Sequence, residues 1–157
     1  MRTWLSVLVM LAGLLGPAAA DPAPLPAFEV KTLQGQPAPS TSLARPGHWL
    51  LLYVAPGSAA SSTLMSVLKQ GRGDPTDRVV VIVGGSIAEA QAACDATPGL
   101  ARAGWYADPG RSAFTALAVK GAPSAAGLRD RTVQWKMSGV PAEAPTVRSI
   151  LLNWIVE

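Results

Sequence analysis

The chain is short of the residues that most proteins use for metal binding and redox chemistry. Among its 157 residues there is one cysteine, Cys94, and one histidine, His48. One thiol cannot close a disulfide within the chain, and one cysteine with one histidine cannot supply the four ligands of a zinc site. The sequence therefore predicts no metal, no cofactor and a fold that is stabilised by packing alone.

Charge is also scarce, which narrows the possible partners. Charged residues make up 15% of the chain, and the net charge is only +3. Because no run of Lys and Arg alternates with aromatic residues, we predict no nucleic-acid binding. Hydrophobic residues make up 49% of the chain. This content argues against disorder and is enough for one domain with a full core.

The first 20 residues have the pattern of an export signal. Arg2 is followed by an apolar run over 4–16, and the small residues Ala18 and Ala20 fit an A-x-A cleavage site. We predict a signal peptide over 1–20 and a mature domain over 21–157, exported to a bacterial periplasm. The apolar run is shorter than the roughly 20 residues of a membrane-spanning helix. The alternative is that this segment remains uncleaved and anchors the domain to the membrane.

Hydrophobic patterning predicts one α/β domain. The continuous apolar runs over 49–55 and 79–83 are typical of strands buried on both faces. A helix between them implies a parallel crossover, and a closing hairpin adds antiparallel strands, so we expect a mixed sheet with helices on both faces. The predicted strands are 28–33, 49–55, 79–83, 105–107, 124–129 and 132–136, and the predicted helices are 42–44 (one turn), 58–70, 86 onward, 112–119 and 145 or 146 onward.

This order of elements resembles the thioredoxin-like fold of exported redoxins, and is similar to TlpA-type thiol-disulfide oxidoreductases. The resemblance covers 25–157 and rests on five stretches: LPAFEVKTLQGQP, WLLLYVAPGSAASSTLMSVL, VVVIVGG, WYADPG and KGAPSAAGLRDRTVQWKMSG. Within the family, APGSAASSTLMSVL is most similar to the MauD-type proteins of methylamine-dehydrogenase maturation. Those proteins also carry a proline before their cysteine pair.

The resemblance implies a Cys-x-x-Cys at the end of the central strand, but both of its positions are serine here. The cysteines fall on Ser58 and Ser61, and the aromatic residue common before the first cysteine falls on Gly57. The family's cis-proline falls on Pro123, and the residue before it, which pairs its backbone with an extended peptide, falls on Ala122. We therefore expect a binding or assembly factor without dithiol activity, near a periplasmic redox or maturation system.

The serine hydroxyls themselves give little sign of catalysis. A serine nucleophile needs an adjacent base, and His48 lies about 20 Å from Ser58 if the strand between them is extended. We therefore predict that Ser58 is the N-cap of the following helix, and that Ser61 and Ser62 are solvated in its first turn. A serine hydrolase at Ser58 is a third possibility and would need a base from elsewhere in the fold.

Cys94 is the remaining redox candidate. It shares a predicted helix face with Ile87 and Ala90, so we expect a buried and inert thiol with a raised pKa. The alternative is an exposed Cys94 that makes the protein a thiol-disulfide oxidoreductase or a peroxidase-type antioxidant.

Two further stretches have only structural interpretations. Gly84-Gly85-Ser86 lies between a strand and a helix, as phosphate-binding turns do, but it matches neither common phosphate-binding motif. Asp108 matches a position where acidic residues are frequent in the similar family. We expect it to open the turn Asp108-Pro109-Gly110.

Overall fold

A single mixed sheet forms the centre of the molecule. The computed structural model describes residues 21–68, 75–139 and 144–157, in which the chain forms eight strands and five α-helices. The strands are β1 (Ala23–Pro24), β2 (Glu29–Thr32), β3 (Pro37–Pro39), β4 (His48–Val54), β5 (Val79–Val83), β6 (Gly104–Ala107), β7 (Ser124–Arg129) and β8 (Thr132–Ser138). The helices are α1 (Ser40–Leu43), α2 (Ala59–Leu68), α3 (Ile87–Asp95), α4 (Ser112–Ala116) and α5 (Ala144–Val156).

The strand order is β1-β8-β7-β4-β5-β6-β2-β3. β4 runs parallel to β5, and β5 runs parallel to β6, which confirms the predicted crossover. β7 pairs antiparallel with both β4 and β8. The carboxyl ends of β4, β5 and β6 therefore lie at one edge of the sheet, and the turns that follow these strands are neighbours there.

The sheet separates two hydrophobic clusters, so helices cover both of its faces as predicted. Alternate residues of β4 point to opposite faces because side chains of a strand alternate. Leu50, Leu52 and Val54 pack in the cluster that contains α2, α3 and α5, whereas Leu51 and Tyr53 pack in the cluster that contains α1 and α4.

The two short edge strands, β1 and β3, were not predicted. Both contain proline, which argues against strand structure when only the sequence is read. β1 tolerates Pro24 because the next residue, Leu25, donates its N–H to the Arg131 carbonyl at 2.8 Å. N–H groups alternate in direction along a strand, so the missing N–H of Pro24 would point away from β8. Proline is thus confined to the edge strands.

Several element boundaries also differ from the prediction. β8 extends two residues further, to Ser138. The helix predicted over 112–119 ends at Ala116, because Ala118 has a left-handed backbone with φ of 52°. The one-turn helix expected over 42–44 is Ser40–Leu43. The last helix occupies Ala144–Val156, and the four residues before it lie outside the described part of the chain. The predicted end of α2, residues 69 and 70, lies outside the described residues.

The predicted signal peptide over 1–20 also lies outside the described residues and stays a prediction. Within the described part of the chain, no helix is long and apolar enough to cross a membrane.

Candidate functional site

The strand-turn-helix at 54–59 holds both serines of the candidate site. β4 ends at Val54 and α2 begins at Ala59. Gly57 lies in the turn between them with φ of 70°, a backbone conformation that glycine adopts without strain. No atom lies within 4 Å of where a Cβ of residue 57 would stand, so the backbone conformation and not crowding favours glycine there.

Ser58 is the N-cap of α2, as predicted. Its Oγ accepts a hydrogen bond from the Ser61 N–H at 3.3 Å, and its carbonyl accepts one from the Ser62 N–H at 3.0 Å. The first bond satisfies one of the N–H groups that the first turn of a helix leaves without partners, and the second is the first regular backbone bond of the helix.

Ser61 is buried, and the prediction that it is solvated was wrong. Its side chain is only 4% exposed, and its Oγ accepts a hydrogen bond from the Ala55 N–H at 3.1 Å. Ala55 follows the last residue of β4, so its N–H needs an acceptor outside the sheet. Ser62 is exposed, as predicted.

No imidazole is near these hydroxyls. His48 is the first residue of β4, pairs with Arg129 at the opposite end of the strand from Ser58, and stacks on Trp154 with 4.4 Å between ring centroids. The sequence placed His48 correctly at that end. Ser58 and Ser61 are therefore positioned as helix and turn caps.

Pro123 lies at the same edge of the sheet as Ser58. The Ala122–Pro123 peptide bond is cis, as the resemblance implied. Ser124 pairs with Tyr53 near the end of β4, which places Pro123 beside the start of the turn. Pro123 is buried and Ala122 is half-buried.

Asp108 opens its turn as expected, but its carboxylate also has a buried role that the sequence did not reveal. The side chain is 1% exposed, and its Oδ2 accepts hydrogen bonds from the Tyr53 hydroxyl at 3.1 Å and the Phe114 N–H at 3.0 Å. Burial raises the pKa of Tyr53 well above its usual range, and the negative charge and hydrogen bond of Asp108 raise it further. The one available signal was a tyrosine, with its polar hydroxyl, within the apolar run over 49–55.

At the start of α3, the carboxylate of Glu89 occupies the position where an anion could bind. Oε2 of Glu89 accepts hydrogen bonds from the Ser86 N–H at 2.7 Å and the Ser86 hydroxyl at 2.9 Å, and Ser86 Oγ accepts one from the Glu89 N–H. The bond from the Ser86 backbone, and then that from its hydroxyl, lower the pKa of Glu89. This capping box explains Ser86 without a phosphate.

Gly85 allows the close approach of Glu89 to the turn after β4. A Cβ at residue 85 would lie 2.6 Å from Glu89 Oε2 and 2.7 Å from Pro56 Cγ. The second glycine of the Gly84-Gly85-Ser86 stretch therefore has a packing role.

Cys94 is half-buried, so the prediction of full burial was wrong. α3 lies at the surface, and Ala90 is its one buried residue. The thiol lines an open cavity of about 270 Å³ together with Leu33 and Trp105. Burial, and then the negative charge of Asp95, raise the pKa of Cys94, as predicted.

A second cavity, of about 370 Å³, lies between α2 and α3. We call it the α2–α3 groove. It includes Ser61, but Cys94, Ala122 and Pro123 do not line it. The structure therefore does not bring Cys94 to the serine pair. The lining residues are Val54, Ala55, Pro56, Gly57, Ser61, Ser62, Met65, Ser66, Val83, Glu89, Ala92, Ala93, Ala96 and Thr97.

Solved structures of redox proteins share this architecture. A Chlorobium tepidum protein assigned as the thiol:disulfide interchange protein DsbE superposes with a TM-score of 0.67 at 16% identity, covering 88% of this chain and 97% of that one. The chain has the thioredoxin-like fold. At this identity the likeness establishes the fold and not the reaction.

Two further thioredoxin-like structures are also similar. Reduced Prx3 from Vibrio vulnificus, in complex with H2O2, has a TM-score of 0.63 at 16% identity over 82% of this chain and 96% of that one. A secreted disulfide oxidoreductase of Mycobacterium tuberculosis, homologous to E. coli DsbE, has a TM-score of 0.55 at 16% identity over 80% and 96%. No protein-family model and no curated protein sequence matches this thioredoxin-like chain.

The serine caps predict a graded loss of stability. Ser61→Ala removes the acceptor of the Ala55 N–H, and we expect it to lower the free energy of unfolding by about 1–3 kcal/mol. Ser58→Ala removes the N-cap and should cost about 1 kcal/mol, whereas exposed Ser62→Ala should change stability by less than about 0.5 kcal/mol. Urea denaturation measures all three. Equal stabilities for Ser61→Ala and Ser62→Ala would contradict the assigned role of Ser61.

The buried Tyr53–Asp108 pair predicts alkaline sensitivity. An unfolded tyrosine ionises near pH 10, but the folded state holds Tyr53 neutral at that pH. Its contribution to stability is therefore complete below about pH 10 and is lost as the pH rises further. Urea denaturation gives the free energy of unfolding at about pH 8 and about pH 11. Between these two pH values it should fall less for Tyr53→Phe than for the wild type. The same decline in both chains would show that Tyr53 is not the responsible group.

Proposed function

We propose that this protein is a non-catalytic binding or assembly factor that holds an extended segment of a partner protein at Ala122 and Pro123. One observation carries the proposal. The two serines at the positions of the family's dithiol, Ser58 and Ser61, both accept backbone hydrogen bonds that stabilise the turn and the helix.

The hydroxyl groups of Ser58 and Ser61 cannot replace the thiols of a dithiol site. A helix N-terminus lowers the pKa of a cysteine enough to form a thiolate, but a serine hydroxyl has too high a pKa to ionise in the same place. Disulfide exchange requires sulfur, so Ser58 and Ser61 cannot perform it.

Peptide binding does not depend on these sulfurs. In the similar family, the residue before the cis-proline pairs through its backbone, and the matching residue here, Ala122, is half-buried next to a cis peptide bond. Beside it, no atom other than those of Gly121 and its two chain neighbours lies within 4 Å of where a Cβ of Gly121 would stand. An extended peptide could therefore approach the backbone on this side.

An exported location fits the proposal. The pattern over 1–20 is that of a signal peptide, and the similar Mycobacterium tuberculosis protein is named as secreted. We place the protein in the periplasm, beside a redox or maturation system that uses thioredoxin-like partners.

Cys94 supports a second candidate, a thiol-disulfide oxidoreductase or peroxidase-type antioxidant. Its half-exposed thiol in an open cavity favours access to small reagents. The raised pKa disfavours it, because burial and the charge of Asp95 both oppose the reactive thiolate. We therefore rank this candidate second.

Binding of an extended peptide at Ala122 can be tested directly by NMR. We expect reduced and carboxymethylated insulin B chain, which has no free thiol, to shift the amide resonances of Gly121, Ala122 and Ser124 in the ¹⁵N-labelled domain. Ala122→Pro removes the backbone N–H at that position and should abolish the shifts of the two remaining reporters, the amides of Gly121 and Ser124. Unchanged amide resonances in β7 would show that the variant remains folded.

Two results would overturn the proposal. One is the absence of shifts over 121–124 at millimolar peptide. The other is undiminished binding by a folded Ala122→Pro variant.

A further inference from the structure

The α2–α3 groove has walls of small residues and an open mouth. α2 contributes Ser61, Ser62, Met65 and Ser66, α3 contributes Glu89, Ala92 and Ala93, and Ala96 is the C-cap of α3. The two helices lie on the same face of the sheet, and their short side chains leave the space of about 370 Å³ between them. That volume is within the usual range of ligand sites, about 300–1,000 Å³.

The groove has one charged lining residue, Glu89. The hydrogen bonds from the Ser86 backbone N–H and from its hydroxyl both go to Oε2, which leaves Oε1 as a further acceptor. Glu89 Oε2 and Pro56 Cγ lie 2.6 Å and 2.7 Å from the point where a Cβ of Gly85 would stand, so the negative charge lies near the turn after β4. Ser62 and Ser66 add exposed hydroxyl groups.

The remaining lining is largely apolar. Met65 of α2 and Val83 of β5 are buried, and alanines form most of the wall on the α3 side. A ligand that matches both the apolar lining and the Glu89 carboxylate needs an apolar stem and a head that carries hydrogen-bond donors and positive charge. Lysine and arginine side chains have this chemistry, because their heads only donate and their stems pack on apolar surface.

We propose that the α2–α3 groove binds a lysine or arginine side chain presented by a partner protein. The stem lies along the alanine wall and the cationic head pairs with Glu89. A phosphate or carboxylate is repelled by the same residue. Since Ala122 and Pro123 do not line the groove, it is a second contact surface, and it stands whether or not peptide binds at Ala122.

A set of matched peptides tests the preference for a cation. The peptides are acetyl-Ala-Ala-X-Ala-Ala-amide with lysine, arginine, norleucine or glutamate at X, titrated into the ¹⁵N-labelled domain. We expect the lysine and arginine peptides to shift amides over 61–66 and 89–96. They should bind about twofold to fivefold more tightly than the norleucine peptide, as for an exposed ion pair. The glutamate peptide should bind most weakly.

Two pairs of variants assign the effect to the groove. Glu89→Gln keeps a residue that can complete the capping box but removes the charge, and we expect it to abolish the preference for lysine over norleucine. Asp95→Asn removes the same charge from the same helix outside the groove and should retain the preference. Ala92→Leu fills the groove and should weaken the binding of every peptide. Ala88→Leu lies on the same helix but outside the lining, and should leave peptide binding unchanged.

Four results would overturn the proposal. Equal binding of the lysine and norleucine peptides would identify an apolar site, and tighter binding of the glutamate peptide would reverse the assigned charge. Shifts confined to 121–124 would assign binding to the Ala122 site. No shifts at millimolar peptide would show that the groove takes no such side chain.

Discussion

The burial of β4 on both faces is the constraint on which the rest of the structure depends. Each residue from Trp49 to Val54 is less than 5% exposed, and the strand lies between β5 and β7 at the centre of the sheet. Its end therefore fixes where the turn and α2 begin. It also places Tyr53 beside Asp108 and Ser124. None of these contacts needs sulfur, so the strand-turn-helix of the thioredoxin-like fold forms with serine at 58 and 61.

The central elements were predictable from the sequence because each carries a local signal. The continuous apolar runs identify β4 and β5, and the short turn at Asp130 identifies the hairpin of β7 and β8. Ser58 was recognisable as a helix cap from its position alone. By contrast, β1 and β3 contain prolines and form only because a neighbouring strand is available to pair with them. Their existence depends on tertiary contacts that the local sequence does not encode.

The site was less predictable, because helical spacing shows which residues share a face but not how deeply that face is covered. Cys94 shares a face with the buried Ala90, yet it is half-exposed because α3 lies at the surface. Ser61 is buried because Ala55, six residues earlier, donates to it across the turn. Asp108 is buried because Tyr53, 55 residues earlier, bonds to it across the sheet. The α2–α3 groove likewise depends on two helices that are far apart in the sequence.

The central proposal is that the turn between β4 and α2 could support disulfide exchange if residues 58 and 61 were cysteine. The most direct test is insulin reduction by dithiothreitol, measured with the wild-type chain, with Cys94→Ala, and with Ser58→Cys/Ser61→Cys in the Cys94→Ala background. The wild type and Cys94→Ala should leave the uncatalysed rate unchanged. The paired cysteines lie at a helix N-terminus that favours thiolate, so they should form a disulfide and accelerate the reaction. Turnover by the wild type that Cys94→Ala abolishes would contradict the account, as would an inactive but folded double-cysteine variant.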